Sequence, residues 1–191
     1  MREAIVTVGT RGAGKSSFCE KAIAFDPSIV KVSRDEILLE MFGSTYRDPY
    51  VGNHGPAYDK MWRAVKKHLK ASESKMILDL WNGDSNDRHH IIRKLREFGA
   101  DRVVAWYFIT PVELVEEWFW RKPGIAKSGE MRNHQGKELV FYSKDAPRRD
   151  HELFHQLAAN IYSDDFDGVI RINPITTELK DIICCQTSFK W

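Results

Sequence analysis

The 191-residue sequence predicts a three-layer α/β fold, in which helices cover both faces of a five-stranded parallel sheet. Short apolar segments alternate along the chain with segments of helical periodicity. The apolar segments are hydrophobic at nearly every position, which is typical of strands buried on both faces. The first of them runs directly into a glycine-rich turn that opens a helix.

The predicted elements follow one another without a linker, so we expect one domain over residues 1–191. The predicted strands span residues 3–8, 29–32, 76–80, 103–109 and 168–172. The predicted helices span residues 15–24, 57–71, 87–98, 111–120, 147–162 and 176–185, with a further helix starting at residue 34. Ser33 is suited to cap the helix that starts at residue 34, and Gly99 is suited to end the helix over residues 87–98.

One stretch, residues 123–146, has no clear periodicity and is too long to be a simple connection. Basic side chains outnumber acidic ones between Arg121 and Arg149, which suits a surface that faces phosphates. We therefore predict a helical and irregular lid over residues 121–149. Cations near a helix end can also simply complement the helix dipole, and that reading stays open here.

Composition excludes several classes of protein. Hydrophobic residues make up 42% and charged residues 29%, and no apolar run is long enough to span a membrane. The N-terminus has the pattern of a strand rather than of a signal peptide, so we expect a cytoplasmic protein without a membrane partner. A net charge of +2 identifies no partner and leaves a homo-oligomer open.

The turn after the first strand carries the most specific motif. Residues Gly9 to Ser16 match G-x-x-x-x-G-K-[ST], the P-loop that binds nucleoside triphosphates. Its glycines let backbone N–H groups turn toward phosphate oxygens, Lys15 reaches the β- and γ-phosphates, and Ser16 holds Mg²⁺. We predict binding of ATP, or another nucleoside triphosphate, with Mg²⁺. The predicted contacts are Gly9, Thr10, Arg11, Gly12, Ala13, Gly14, Lys15, Ser16 and Ser17.

Carboxylates follow two further strands at the edge where a parallel sheet binds its ligands. Asp35 follows the second strand and is the predicted general base for transfer to a hydroxyl, although a role in capping the helix is the alternative. Asp79 ends the third strand and is predicted to hold Mg²⁺ through water or to orient a lid arginine. The alternative is that Asp79 is an ordinary residue of the turn at the end of the strand. Trp81 lies behind it and can stack on a base or another ring.

Arg121 is the cation predicted to stabilise the charge of the transition state, with Arg132, Arg148 and Arg149 as further candidates.

A competing motif, His151-Glu152-Leu153-Phe154-His155, matches the H-E-x-x-H pattern of zinc proteases. No third ligand follows at the spacing of a metalloprotease, so an amphipathic helix is the preferred interpretation.

These motifs together resemble the phage-type polynucleotide 5′-hydroxyl kinase domain and related small P-loop kinases of the AAA and zeta-toxin-like type. The resemblance covers roughly residues 1–125. It rests on the P-loop and on Ser33-Arg34-Asp35. Weaker likenesses are Arg47-Asp48-Pro49-Tyr50, the segment from Ile77 through Arg88, and the helix that leads to Arg121.

The resemblance implies a nucleoside-kinase-like P-loop NTPase fold with the P-loop strand at the centre of the sheet. It further implies an ATP–Mg²⁺ donor and a nucleic-acid 5′-hydroxyl acceptor, with Asp35 as base. Arg34, Asp79, Trp81 and Arg88 are the expected residues on the substrate side. The family's arginine one turn after the base is Leu38 in this sequence.

The predicted function is therefore phosphoryl transfer from ATP to a hydroxyl, with a polynucleotide 5′-end as the first choice of acceptor. A nucleoside, nucleotide or sugar acceptor is the alternative within the kinase class. A nucleotide-binding ATPase or switch is the alternative outside it, although no convincing residue for positioning water is evident.

Overall fold

The computed structural model describes residues 1–43, 45, 55–122, 124–128 and 140–183. The strands are β1 (Arg2–Val8), β2 (Ile29–Ser33), β3 (Ser74–Asp79), β4 (Arg102–Phe108), β5 (Ile125–Lys127), β6 (Val140–Tyr142) and β7 (Gly168–Ile172). The helices are α1 (Lys15–Phe25), α2 (Arg34–Phe42), α3 (Pro56–Leu69), α4 (Ser85–Glu97), α5 (Val112–Trp120), α6 (Ala146–Leu157) and α7 (Leu179–Ile183), with a 3-10 turn at Ile161–Ser163.

Five strands form one parallel sheet in the order β2-β3-β1-β4-β7. The predicted five-stranded parallel sheet is confirmed, and β1, which leads into the P-loop, lies at its centre. The register aligns Ser33 with Asp79 and Val6 with Leu78. Strands β1, β2 and β3 therefore end at one edge of the sheet, where the segments that follow them meet.

Two apolar layers hold the sheet between its helices. On one face, α2, α3, α4 and α6 bury side chains such as Leu38, Met61 and Leu95. On the other face, α1 and α7 bury Phe18 and Ile182. Each fully buried side chain of this size stabilises the fold by about 1.5–3 kcal/mol relative to an exposed one. The arrangement is the three-layer fold that the sequence predicts.

Capping residues set the helix boundaries that differ from prediction. The Asp84 carboxylate accepts a hydrogen bond from the Asn86 N–H at 2.7 Å, so α4 begins at Ser85 rather than at Asp87. Helix α6 ends at Leu157 and a 3-10 turn follows, where the sequence predicts one helix to residue 162.

Across the described ranges, no helix has both the length and the apolar character that crossing a membrane requires.

The predicted lid contains two short strands that the sequence pattern does not reveal. β5 and β6 pair in parallel and form their own two-stranded sheet, separate from the main one. Each of these strands has three residues, too few to show an alternating pattern, so the sequence of residues 123–146 predicts irregular structure. Residues 129–139, which include Arg132, and the Arg47–Tyr50 segment lie outside the described residues. The function of residues 121–149 as a lid stays a prediction.

Candidate active site

The loop between β1 and α1 forms a tight cradle that only glycine permits. Gly12 and Gly14 both have φ of 81°. A Cβ at Gly9 would lie 2.9 Å from Phe108 Cβ, and a Cβ at Gly14 would lie 2.8 Å from the Trp118 ring. Gly14 is also the N-cap of α1 and has no side chain to cap it, so the first N–H groups of the helix remain for an anionic ligand.

Thr110 anchors this loop from the end of the neighbouring strand β4. Its buried hydroxyl donates a hydrogen bond to the Ala13 carbonyl at 2.8 Å and thereby ties the P-loop to the segment after β4. In the sequence, Thr110 is simply the residue between the predicted strand 103–109 and the predicted helix 111–120. Its partner is 97 residues away in the chain, so no local pattern could reveal the contact.

Lys15 lies inside the cradle. Its Nζ donates hydrogen bonds to the carbonyls of Gly9 at 2.7 Å and Thr10 at 3.0 Å. Burial lowers the pKa of this amine, and the nearby Asp79 carboxylate opposes the shift. Ser16, Ser17 and Trp118 line the same space, which has a volume of about 200 Å³.

Asp79 is buried at the end of β3 with both carboxylate oxygens held in place. Oδ2 accepts a hydrogen bond from the Ser16 hydroxyl at 2.9 Å, and Oδ1 accepts one from the Thr7 hydroxyl at 2.8 Å. A hydroxyl and a carboxylate side by side are the oxygen ligands that Mg²⁺ prefers, directly or through water. The donor set therefore fits the magnesium that the sequence predicts at Ser16 and Asp79.

A crevice of about 150 Å³ joins the P-loop to the second carboxylate. Its lining includes Arg11, Lys15, Ser16, Arg34, Asp35, Asp79, Trp81 and Lys122. Asp35 is exposed in the first turn of α2, and Ser33 is the residue that caps this helix, accepting from the Glu36 N–H at 3.4 Å. Leu38 lies fully buried in the core and does not face the crevice.

The two basic residues after α5 point to different places. Arg121 pairs with Glu117 at 2.5 Å and lines a neighbouring pocket, whereas Lys122 lines the crevice with Lys15 and Asp35. Desolvation by the surrounding protein lowers the pKa of the Lys122 amine, although much of the residue stays accessible, and the Asp35 carboxylate opposes the shift. The sequence predicts Arg121 as the cation for the transition state, and that role stays a prediction; in the structure Lys122, and not Arg121, is among the residues that line the Asp35 crevice.

The neighbouring pocket, of about 520 Å³, has the character of a site for a planar ring. Trp118, Arg121 and Phe18 line it with Pro174 and Ile175, next to Gly14 and Ser17 of the P-loop. Aromatic faces and a guanidinium are the groups on which flat heterocycles stack. Trp118 is not among the site residues that the sequence predicts, because no motif includes it.

Arg88 does not lie in the crevice. It is fully buried, and its Nε donates to the Asp164 carboxylate at 2.5 Å. Its Nη1 donates to the Gly83 carbonyl, and its Nη2 to the Leu157 carbonyl at 3.4 Å. The predicted contact of Arg88 with substrate is incompatible with this placement. The side chain instead holds α4 against the end of α6.

The H-E-x-x-H histidines belong to a hydrogen-bonded chain. His151 Nε2 lies 3.1 Å from His155 Nε2 and 3.1 Å from the Thr110 carbonyl, and His155 Nδ1 lies 2.9 Å from the Tyr107 hydroxyl. Within the part of the chain that the structure describes, no cluster of three or more His, Cys, Asp or Glu side chains could hold a metal ion. The contacts give both histidines a structural role between α6 and β4.

Comparison with known proteins agrees with this geometry. The model of the AAA domain family matches residues 5–139, more than half of the chain, so the chain belongs to this family of P-loop domains. No curated protein matches the sequence significantly.

Three solved structures share the fold. The shikimate kinase from Acinetobacter baumannii in complex with shikimate is 16% identical, with a TM-score of 0.54 and coverage of 98% of this chain and 93% of that one. The shikimate kinase from Bacteroides thetaiotaomicron is 13% identical, with a TM-score of 0.55 and coverage of 98% and 97%. A fungal RNA kinase is 15% identical, with a TM-score of 0.52 and coverage of 98% and 86%. The chain thus has the fold of small P-loop kinases, and the resemblance found in the sequence is confirmed.

Proposed function

We propose that the chain is an ATP-dependent kinase that transfers the γ-phosphate to an acceptor hydroxyl, with the 5′-hydroxyl end of a polynucleotide as the acceptor of first choice. One observation carries the proposal: the exposed carboxylate of Asp35 lines the same crevice as Lys15 and Ser16 of the P-loop. A base beside the phosphate site is what transfer to a hydroxyl requires.

The P-loop binds the triphosphate. Backbone N–H groups at the start of α1 surround the phosphate oxygens, and Lys15 exchanges its contacts with the Gly9 and Thr10 carbonyls for the β- and γ-phosphates. The nucleobase stacks in the pocket of Trp118 and Arg121. Ser16 and Asp79 would hold Mg²⁺, which supplies charge neutralisation across the phosphates.

Transfer of the γ-phosphate then involves Asp35, which lines the same crevice as the P-loop residues Lys15 and Ser16. The acceptor hydroxyl lies between Asp35 and the γ-phosphate, and its proton passes to the Asp35 carboxylate as its oxygen bonds to phosphorus. The bond from phosphorus to the β,γ-bridging oxygen breaks, and ADP leaves with that electron pair. Lys122 stabilises the charge that develops on the phosphate oxygens.

The fold relatives support two classes of acceptor. The fungal RNA kinase shares the fold, which supports a nucleic-acid acceptor. The shikimate kinases share it equally, and one of them is in complex with shikimate, which supports a small-molecule acceptor as the second candidate. The nucleic acid remains the first choice because of the Ser33-Arg34-Asp35 motif.

Incubation with γ-labelled ATP and Mg²⁺ tests the proposal directly. The acceptor panel comprises 5′-hydroxyl oligonucleotides, nucleosides, nucleotides, sugars and shikimate, and Lys15→Ala serves as the inactive control. We expect label on an acceptor hydroxyl with wild-type protein alone. Release of labelled phosphate with no labelled acceptor anywhere in the panel would instead identify an ATPase or switch.

A further inference from the structure

A second pocket, of about 210 Å³, adjoins the crevice and shares no lining residue with the nucleobase pocket. Arg11 and Trp81 line both the crevice and this pocket, and the other lining residues of the pocket include Tyr142, Arg149, Asp150 and Leu153. We propose that this pocket recognises a nucleic-acid acceptor. The terminal base stacks on Trp81, and Arg149 and Arg11 hold the phosphate that follows it. The inference rests on the proposed kinase function.

Trp81 is a fixed platform rather than a loose surface side chain. Its ring packs edge-to-face on Phe154, with centroids 5.5 Å apart and planes at 70°. The ring also lies close over Gly83, where a Cβ would be 3.1 Å from it. Even so, 44% of Trp81 is exposed, directly after a strand whose last four residues are all buried. A rigid indole exposed beside a catalytic crevice is suited to stack a base at little entropic cost.

The cations of the pocket suit a phosphate. Arg11 is exposed, and its Nη1 donates a hydrogen bond to the Tyr142 hydroxyl at 3.3 Å, which holds the guanidinium at the junction with the crevice. Arg149 projects from α6 and makes a 3.6 Å contact with Asp145 that is open to solvent on both sides. Among the lining side chains there are two guanidinium groups and one carboxylate, that of Asp150, and the Arg149 guanidinium can leave its exposed contact with Asp145 for a phosphate. Planar guanidinium groups bind phosphate oxygens in pairs.

The distribution of these groups favours a nucleotide unit over a small polyol. A polyol needs many neutral hydrogen-bonding groups, whereas the lining offers one phenol and one carboxylate beside an aromatic ring, a leucine and two arginines. Trp81 and Arg11 line the Asp35 crevice as well as this pocket, so a nucleotide whose base stacks on Trp81 places its 5′-hydroxyl on the side of Asp35.

Four variants separate the parts of this proposal. Trp81→Ala removes the platform, and Trp81→Phe restores an aromatic face. Arg149→Ala removes one of the two arginine contacts with the phosphate. Arg148→Ala is the matched control: the sequence offers this neighbouring arginine as a further candidate cation, but in the structure it lines neither the crevice nor the second pocket and pairs with Glu116 of α5 at 2.9 and 3.1 Å.

The kinetic test compares a 5′-hydroxyl oligonucleotide, a nucleoside 3′-monophosphate and the free nucleoside. We expect Trp81→Ala to raise the KM for the oligonucleotide about 10- to 100-fold with the KM for ATP unchanged, and Trp81→Phe to recover most of the loss. Arg149→Ala should reduce the preference for the 3′-phosphorylated nucleoside, because Arg11 alone then holds the phosphate, and Arg148→Ala should keep the full preference. Unchanged acceptor KM in Trp81→Ala, or transfer only to acceptors without a base, overturns the inference and leaves a kinase in place.

A binding measurement keeps the inference separate from turnover. Anisotropy of a labelled 5′-hydroxyl oligonucleotide should report weaker binding to Trp81→Ala than to wild type, and affinity that falls as salt increases. This result supports nucleic-acid binding in the pocket even if no acceptor becomes phosphorylated. Absence of phosphorylated acceptor would reject only the kinase reaction. Equal binding by wild type, Trp81→Ala and Arg149→Ala rejects the pocket whatever the kinase assay gives.

Discussion

The Ser16 hydroxyl donates a hydrogen bond to the Asp79 carboxylate at 2.9 Å and so joins the first turn of α1 to the carboxyl end of β3. These residues are 63 positions apart in the chain. The contact exists because β3 lies directly beside β1 in the sheet, with Val6 opposite Leu78. The sheet order therefore brings together the hydroxyl and the carboxylate that we propose as ligands of Mg²⁺.

Asp79→Asn tests this ligand set. The amide keeps the size of the side chain but removes the negative charge that would attract Mg²⁺ directly or through water. We expect the Mg²⁺ concentration for half-maximal kinase activity to rise about 10- to 100-fold. Thr7→Val is the comparison, because it removes only the support at Oδ1 and should have a smaller effect. An unchanged Mg²⁺ titration for Asp79→Asn would exclude Asp79 from the metal site.

The two basic residues after α5 should have separable effects. Lys122→Ala removes the cation that lines the Asp35 crevice, so we expect kcat to fall about 100-fold or more. Arg121→Ala removes a side chain of the nucleobase pocket and should raise the KM for ATP while kcat changes little. Steady-state kinetics with varied ATP distinguishes the two. The opposite pattern would restore Arg121 as the residue of the transition state.

The sheet, the P-loop and the positions of Asp35 and Asp79 could be predicted because each depends on short-range patterns. Strand periodicity, a contiguous motif and the rule that ligands bind beyond strand ends are all visible in sequence. The five parallel strands of the main sheet follow from these patterns, whereas the central place of β1 follows from the family resemblance.

The remainder depends on distant contacts. Whether Arg121 or Lys122 lines the Asp35 crevice depends on how α5 ends; Lys122 lines it, and Arg121 lies at the surface beside Glu117. The family resemblance implies Arg88 as a substrate contact, yet the side chain is buried against Asp164, which is 76 residues away in the chain. Trp118 and Thr110 belong to no motif. Both lie beside the P-loop only because the chain after β4 packs against it.

The Arg88–Asp164 pair should contribute to stability rather than to catalysis. Both side chains are at least 99% buried, so Arg88→Met leaves the Asp164 carboxylate in the core without the guanidinium charge, although the Ser85 hydroxyl still donates a hydrogen bond to it at 2.6 Å. We expect the free energy of unfolding in urea to fall by about 3–5 kcal/mol. Arg93→Met on the same helix is the control, because its pair with Glu97 is exposed, and we expect a change of about 0.5 kcal/mol or less. A loss in Arg88→Met no larger than that of the control would contradict the structural role.

The histidine chain should make stability depend on pH. Burial and the neighbouring His151 lower the pKa of His155 below its ordinary value of about 6.5. The unfolded chain therefore binds a proton at a higher pH than the folded chain does. The free energy of unfolding should decline as pH falls below about 6.5 and through the lowered pKa. Denaturation at several pH values should show a shallower decline for His155→Gln, and an identical decline would mean that His155 is not responsible.

Asp35 is the residue on which the kinase assignment depends, and Glu36 beside it is a matched control. Glu36 pairs with Lys31 at 2.5 Å, on the far side from the crevice lining. The most direct measurement is the single-turnover rate of phosphoryl transfer, together with the Kd for ATP, for Asp35→Asn and Glu36→Gln. We expect Asp35→Asn to slow transfer about 10²- to 10⁴-fold with ATP binding intact, and Glu36→Gln to behave as wild type. Full transfer activity in Asp35→Asn would contradict the assignment of Asp35 as the base.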